Sequence, residues 1–304
     1  MGIGNYIKEI GRGKDGARSL TREQSADLFA QVLDGNLTDL EIGAFCLAMR
    51  IKGETEQEMA GFLDATDSRL HKAAINGNPT VVLPSYNGAR KLPALTALLA
   101  LLLARQGRCV LLHGMPTEST RVSTQDVLQA LGIATQTAIQ PVRPGTVQFV
   151  PTNLLCPGLA RLLDVRRVVG LRNSAHSLVK LINPCDGPVV LVSSYTHPEY
   201  AASMSATFSL LRANALLLRG TEGEPVADPR RMPAMDAFLN GKVSRVQEQQ
   251  SGALESVPGL PAPDAQSTAI WIQAVLAGRE PIPAPIARQV EHIVHLSKQI
   301  ESHP

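Results

Sequence analysis

The chain has 304 residues, 44% of them hydrophobic and 18% charged, and carries a formal net charge of +2. That is enough apolar material for one large core or two smaller ones, and too little charge for bulk electrostatics to select a partner. Its four cysteines form no Cys-x-x-Cys pair and its longest apolar run, Leu92 to Ala104, is broken by Pro93, so a zinc knuckle, a disulfide framework and a membrane span are excluded, and a cytoplasmic protein with free thiols is expected.

Residues 1–75 read as a small helical bundle. Thr21-x-x-Gln24, Thr38-x-x-Glu41 and Thr55-x-x-Glu58 each place a hydroxyl at a helix N-cap and a Gln or Glu three positions later, the spacing that satisfies the orphan amides of a first turn reciprocally. Gly35 and Gly53 stand where the first two of these helices should stop, and Leu28, Val32, Ile42, Phe45, Met49, Phe62 and Leu63 supply their apolar faces.

From residue 76 to 304 the rhythm changes. Thr80–Leu83, Arg108–Leu112, Val189–Ser193 and Ala215–Arg219 are strand candidates, with amphipathic segments at about 94–105, 123–132, 198–213, 267–277 and 285–298 between or after them. This alternation predicts a larger α/β domain with a mainly parallel sheet. Ser251 to Asp264, rich in Gly and Pro, reads as a loop.

The octapeptide Pro84-Ser-Tyr-Asn-Gly-Ala-Arg-Lys91 lies between the first strand and the helix after it, where a βα turn binds phosphate. Its single glycine, Gly88, is too few for a main-chain cradle around pyrophosphate, and its two terminal cations point instead to a side-chain grip on phosphates. A cation at a helix N-terminus opposes the macrodipole unless an anion is present, which favours phosphate at Arg90 and Lys91 over a merely solvated pair. Asn87-Gly88 has the composition of a tight turn. Tyr86 has two readings, a platform for a base or a lid on the core.

Leu20 to Thr66, His113-Gly114, Asp126-Val-Leu-Gln-Ala-Leu-Gly132, Val165-Arg-Arg167, Gly170-Leu-Arg172 and Asn183-Pro184 together resemble the anthranilate phosphoribosyltransferases over most of residues 1–225. The resemblance implies a helical bundle with a returning segment at about 159–182, an α/β domain of the nucleoside phosphorylase and phosphoribosyltransferase type, and homodimers. The departures fall on the chemistry. The family's Gly-Thr-Gly-Gly-Asp loop is replaced by Ser85-Tyr-Asn-Gly-Ala89, its Lys-His-Gly-Asn turn keeps only His113 and Gly114, and Pro225 and Val226 stand at its magnesium carboxylates. Ser85, Gly88, His113, Gly114, Glu222 and Glu224 are then remnants of a transferase site, with no catalytic residue and no metal site assigned. His113, after an apolar strand, reads as a structural histidine.

Arg219-Gly-Thr-Glu-Gly-Glu224, Pro84 to Lys91 and Leu171-Arg-Asn-Ser-Ala-His-Ser177 resemble the YbiB-like branch of this fold. That resemblance implies a homodimer that binds nucleic acid, single-stranded DNA foremost, with little sequence preference, and needs neither cofactor nor membrane. Arg90, Lys91, Asn87, Tyr86, Arg161, Arg166, Arg167, Arg172, Arg230 and Arg231 are the expected contacts. For the arginines at 161–172 a solvated face paired with Asp164 is an equal reading, since helical spacing does not align them all. The alternative function is a glycosyl or phosphoribosyl transferase acting on an aromatic acceptor with phosphoribosyl pyrophosphate, and only there does magnesium enter; a small-metabolite sensor using the vacated cleft is a third reading.

Overall fold

The computed structural model describes residues 2–13, 15–75, 78–254 and 257–302. It divides into two compact units, one of Met1–His71 with Thr152–Asn183 and one of Lys72–Pro151 with Pro184–Pro304. The first boundary falls at residue 71 rather than 75, because strand β1 (Ala73–Ala74) pairs in parallel with β5 (Cys185–Asp186) and so belongs to the second unit.

The first unit is helical. It opens with α1 (Gly4–Ile10), α2 (Arg22–Asp34), α3 (Asp39–Lys52) and α4 (Glu56–Asp67). All three expected capping boxes are present, on Thr21 and Gln24, Thr38 and Glu41, and Thr55 and Glu58. The core is built on Phe29, Phe45 and Phe62, three of the chain's six phenylalanines. Phe29 and Phe62 stack at 4.5 Å, and Phe45 meets both edge-on.

Glu58 does more than cap. Its carboxylate is wholly buried, receives the Leu20 amide at 2.9 Å and the Lys52 ammonium at 2.6 Å, and thereby ties α4 to the end of α3 and to the chain before α2. A buried ion pair is a weak net stabiliser, but removing one partner strands the other charge.

The second unit carries a sheet of seven strands: β2 (Thr80–Ser85), β3 (Cys109–Gly114), β4 (Val147–Pro151), β6 (Val189–Tyr195), β7 (Ala215–Arg219), β8 (Met235–Leu239) and β9 (Lys242–Gln247). Their spatial order is β4-β3-β2-β6-β7-β8-β9, parallel from β4 to β7 and antiparallel at β8 and β9. The four expected strands form its centre. Missed were β4, whose apolar signal is short and split by Gln148, and the hairpin β8–β9, whose outer strand is largely exposed and hydrophilic.

Helices α5 (Thr96–Arg105), α6 (Thr124–Ala130), α10 (Pro198–Leu210), α11 (Ala265–Leu276) and α12 (Ala284–Glu301) occupy the expected segments of this unit. The returning part of the first unit holds α7 (Thr152–Leu155), α8 (Pro157–Val169) and α9 (Ala175–Leu178). Of the expected loop at 251–264, residues 255 and 256 lie outside the described residues. No helix among the described residues is long and apolar enough to cross a membrane.

The chain winds outward from β2 in both directions, to β3 and β4 on one side and to β6 and β7 on the other. Ligands of open α/β sheets bind beyond the carboxyl ends of strands at such a reversal. The turn after β2 is therefore where a site belongs.

Glu58→Ala is expected to lower stability by about 3–5 kcal/mol, because Lys52 is left buried without its counterion. Urea unfolding followed by circular dichroism measures it. A loss under about 1 kcal/mol would mean that Lys52 finds other solvation.

Candidate functional site: a phosphate turn filled by two carboxylates

Beyond β2 the chain runs through Tyr86, Asn87 and Gly88, and Gly88 takes a positive φ of 66° as a tight turn requires. Reciprocal backbone bonds join Ala89 and Val122, and the Thr117 hydroxyl donates to the Tyr86 carbonyl at 2.7 Å, so the turn is held from the α6 side.

From the other side it meets the segment after β7. Glu224 is 2% exposed, and its Oε1 accepts the amides of Asn87 at 2.7 Å and Gly88 at 2.9 Å. Its Oε2 accepts the Ser85 hydroxyl, with Thr96 and Thr124 hydroxyls at 3.3 and 3.4 Å. Thr96 is the first residue of α5, whose positive end also favours the carboxylate. Glu222 repeats the arrangement further along, its carboxylate taking the amides of Arg90 at 2.7 Å and Lys91 at 3.2 Å.

The turn's amides at 87, 88, 90 and 91 thus point at anions, and both anions belong to the chain itself. The backbone of the donor segment is shaped for this. Glu222 adopts φ 52° and Gly223 φ 88°, a left-handed backbone that favours glycine at 223, where a Cβ would also fall 1.8 Å from the Asn87 side-chain amide nitrogen. The Ser194 hydroxyl donates to the Gly223 carbonyl at 2.7 Å and fixes the segment against β6.

Pro225 and Val226, expected to be unable to hold a metal, are buried, and Val226 lies in the hydrophobic core at 1% exposure. Gln289 of α12 bonds the Pro225 carbonyl and the Ala227 amide, both at 2.8 Å. Asp228 receives a bidentate grip from Arg230 at 3.0 and 2.8 Å; burial opposes ionisation, yet the Arg230 hydrogen bonds hold the carboxyl below its usual range.

Two expectations need correction. Helix α5 begins only at Thr96, and the Glu222 carboxylate already accepts the main-chain amides of Arg90 and Lys91, so the macrodipole argument for bound phosphate at these cations does not carry. Tyr86 and Asn87 are 4% and 7% exposed, so neither offers a surface to nucleic acid. The Tyr86 hydroxyl lies 2.7 Å from His113 Nδ1, and the Asn87 side-chain amide donates to the Glu222 carbonyl at 3.3 Å. Tyr86 is the lid on the core. His113 is fully buried, and desolvation drives its imidazole down to about 3, so it is neutral and structural.

Arg90 and Lys91 keep their side chains exposed. The other arginines divide. Arg230 is committed to Asp228, while Arg231 gives one bond to the Gly252 carbonyl at 3.2 Å. In the first unit Arg161 donates to the Leu33 carbonyl at 2.8 Å near the end of α2, and exposed Arg167 pairs with exposed Asp164 at 2.9 Å. Arg166 and Arg172 lie near His176, where burial and these cations hold the imidazole at about 4. Ser85, Gly88, Glu222 and Glu224 do converge, whereas His113 and Gly114 lie at the end of β3, paired with Pro84 and Ser85.

Thr96 and Thr124 complete the shell around Glu224 and were not expected from the sequence. Hydroxyls opening helices that follow parallel strands were the available signal, and Ser123-Thr124 sits at such a start, with Ser123 and Asp126 forming a further capping box.

Residues 5–69 match the helical bundle domain of a glycosyl transferase family. The YbiB protein of Escherichia coli (strain K12) is 40% identical over 302 residues, covering 95% of this chain and 92% of its own length. An anthranilate phosphoribosyltransferase of Desulfosudis oleivorans is 26% identical over 279 residues, covering 86% and 80%. Among solved structures, the Thermus thermophilus anthranilate phosphoribosyltransferase superposes with a TM-score of 0.75 at 21% identity, covering 96% of this chain and 89% of that one. The Saccharomyces cerevisiae enzyme in complex with phosphoribosyl pyrophosphate and magnesium gives 0.71 at 14%, covering 98% and 89%.

Glu224→Ala is expected to cost about 3 kcal/mol or more, since several buried donors lose their acceptor. Pyrophosphate at millimolar concentration should raise the melting temperature of that variant and leave the parent unchanged. An unaltered melting temperature would contradict the role given to this carboxylate.

For His113 the folded pKa of about 3 lies below the ordinary 6.5, so between those values the unfolded chain binds a proton that the folded chain does not. The stability involved is complete above the unfolded value and is lost as pH falls through this window. In urea unfolding compared between neutral pH and about pH 5, His113→Gln should lose about 2 kcal/mol less than the parent. Equal losses would place the acid sensitivity elsewhere.

Proposed function

The chain belongs to the anthranilate phosphoribosyltransferase-like proteins, within their YbiB-like branch, and from that premise we propose that it binds nucleic acid, single-stranded DNA foremost, as a homodimer with little sequence preference. The observation that carries this reading is the double occupation of the turn after β2 by Glu222 and Glu224, with Arg90 and Lys91 left exposed beside it.

A phosphoribosyl pyrophosphate with its magnesium does not fit these residues. Its diphosphate needs main-chain amides, and those of 87, 88, 90 and 91 already serve internal carboxylates. Its metal needs hard oxygen ligands, and buried Pro225 and Val226 supply none from their side chains. Displacing Glu224 would put a carboxylate against an incoming polyanion at a buried site, a repulsion on top of the donors' lost partners. The transferase alternative therefore has no support from the site.

Exposed cations suit a different task. A guanidinium and an ammonium on flexible stems bind backbone phosphates without reading bases, and contacts to phosphate carry affinity rather than sequence information. Aromatic residues make up 4% of the chain and Tyr86 is buried, which also favours weak sequence preference. Pairing of two copies is supported by the first unit. Leu40, Leu47 and Ile51 lie along one face of α3, and Val168, Val169 and Leu171 follow at the end of α8, all exposed apolar side chains of the kind that association covers.

Fluorescence anisotropy with a labelled single strand across a salt series tests the function. Binding should weaken steeply with salt, and Arg90→Glu with Lys91→Glu should reduce affinity and flatten the logarithmic salt slope by roughly 0.7 for each phosphate no longer neutralised. Absence of binding at low salt, or binding indifferent to salt, would overturn the reading.

A further inference from the structure

One cavity of the second unit lies beside the filled turn and outside the core. It has a volume of about 310 Å³ and lies beyond the ends of β6 and β7, bounded by Tyr195, Arg219, Arg231 and Gln249 among others. Tyr195 and Arg219 end their strands and are register partners across the parallel pair, so both stand at the carboxyl edge where open α/β sheets hold ligands.

The lining is chemically mixed. Arg219 is exposed and has no carboxylate partner among the described residues, and Arg231 gives one bond to the Gly252 carbonyl. Arg230 is neutralised by Asp228 within the same wall, so the cations left for a ligand are Arg219 and Arg231. The half-buried Tyr195 ring and the Gln249 amide add a flat surface and a donor-acceptor pair, and Leu92, Pro233 and Leu254 add apolar wall. Burial raises the Tyr195 phenol above its ordinary range, which keeps it protonated as a donor.

A lone inorganic anion would use the arginines and leave the apolar wall unused. A purely apolar ligand would desolvate two guanidinium groups without compensation. The combination calls for a flat, partly apolar group with hydrogen-bonding edges, attached to an anion. The volume stands at the lower end of small-ligand pockets, room for one such unit.

We propose that this cavity takes a single nucleotide unit, its base against Tyr195 and Gln249 and its phosphate toward Arg219 and Arg231. Glu222 joins it to the filled turn, since that residue lines the cavity while its carboxylate holds the amides of Arg90 and Lys91. A strand gripped at Arg90 and Lys91 therefore has a neighbouring place to seat one base. The strand source rests on the nucleic-acid reading, whereas a free mononucleotide would not need it.

Two arms distinguish the sources, both with the full chain. In calorimetric titration, deoxynucleoside monophosphates should bind, while inorganic phosphate, ribose 5-phosphate and benzoate should not. In anisotropy, a strand made wholly abasic should bind about tenfold more weakly than its natural counterpart. Tyr195→Ala and Gln249→Ala should each shrink that ratio toward one, and Gln249, outside the sheet, guards against a folding defect in the Tyr195 variant. Binding of mononucleotides with no strand binding would uphold the cavity and overturn its link to the strand. Natural and abasic strands binding alike, with mononucleotides silent, would overturn the cavity and leave strand binding standing. Benzoate binding as well as a mononucleotide would assign the cavity to aromatic acids and overturn the proposal.

Discussion

The buried carboxylate of Glu224 is the interaction on which this site depends. No cation pairs with it among the described residues; two main-chain amides and three hydroxyls, from the end of β2 and the turn after it and from the first residues of α5 and α6, provide its solvation. Hydrogen bonds to an ionised acceptor are roughly twice as strong as neutral ones, and that strength offsets the cost of taking the charge out of water. Because the donors come from three separate elements, one side chain sets the positions of the turn and two helix starts together.

That arrangement gives the proposed function its physical basis. A turn with amides directed outward is a phosphate cradle, and such a cradle is satisfied by any anion of suitable reach. Here the reach comes from the strained segment after β7, where Glu222 has a left-handed backbone and Gly223 admits the Asn87 side chain closely. With internal carboxylates in place, the turn's amides are satisfied without a ligand. The positive charge of the segment is carried outside, on exposed Arg90 and Lys91. Enclosure and desolvation are what group transfer requires, whereas surface grip is what binding a polymer requires.

The bundle was legible from sequence because its signals are local. A capping box spans four residues, and each of the three expected ones formed. The central parallel strands were legible for the same reason, as short apolar runs bounded by turns. Strand β4 and the β8–β9 hairpin were not, since Gln148 and the exposed side chains of Lys242, Ser244 and Arg245 break the pattern that buried strands display. At the site, the turn after β2 was recognisable in the sequence as an unusual one. The function of Glu224 could not: it lies 136 residues from Gly88, and its role exists only through that distant pairing. For Tyr86 the sequence left two readings open for a related reason: the choice of the core lid over the base platform depends on a distant partner, His113, 2.7 Å from its hydroxyl.

Two internal carboxylates occupy the amides of this turn, and the proposed function takes it to be closed to diphosphates while its outer cations meet polymer phosphates. The most direct test is competition on the unmodified protein, with a labelled single strand bound at low salt and phosphoribosyl pyrophosphate plus magnesium titrated against it at constant ionic strength. The strand is expected to stay bound, with no heat of phosphoribosyl pyrophosphate binding in a parallel calorimetric titration. Saturable displacement at micromolar phosphoribosyl pyrophosphate would contradict the closure.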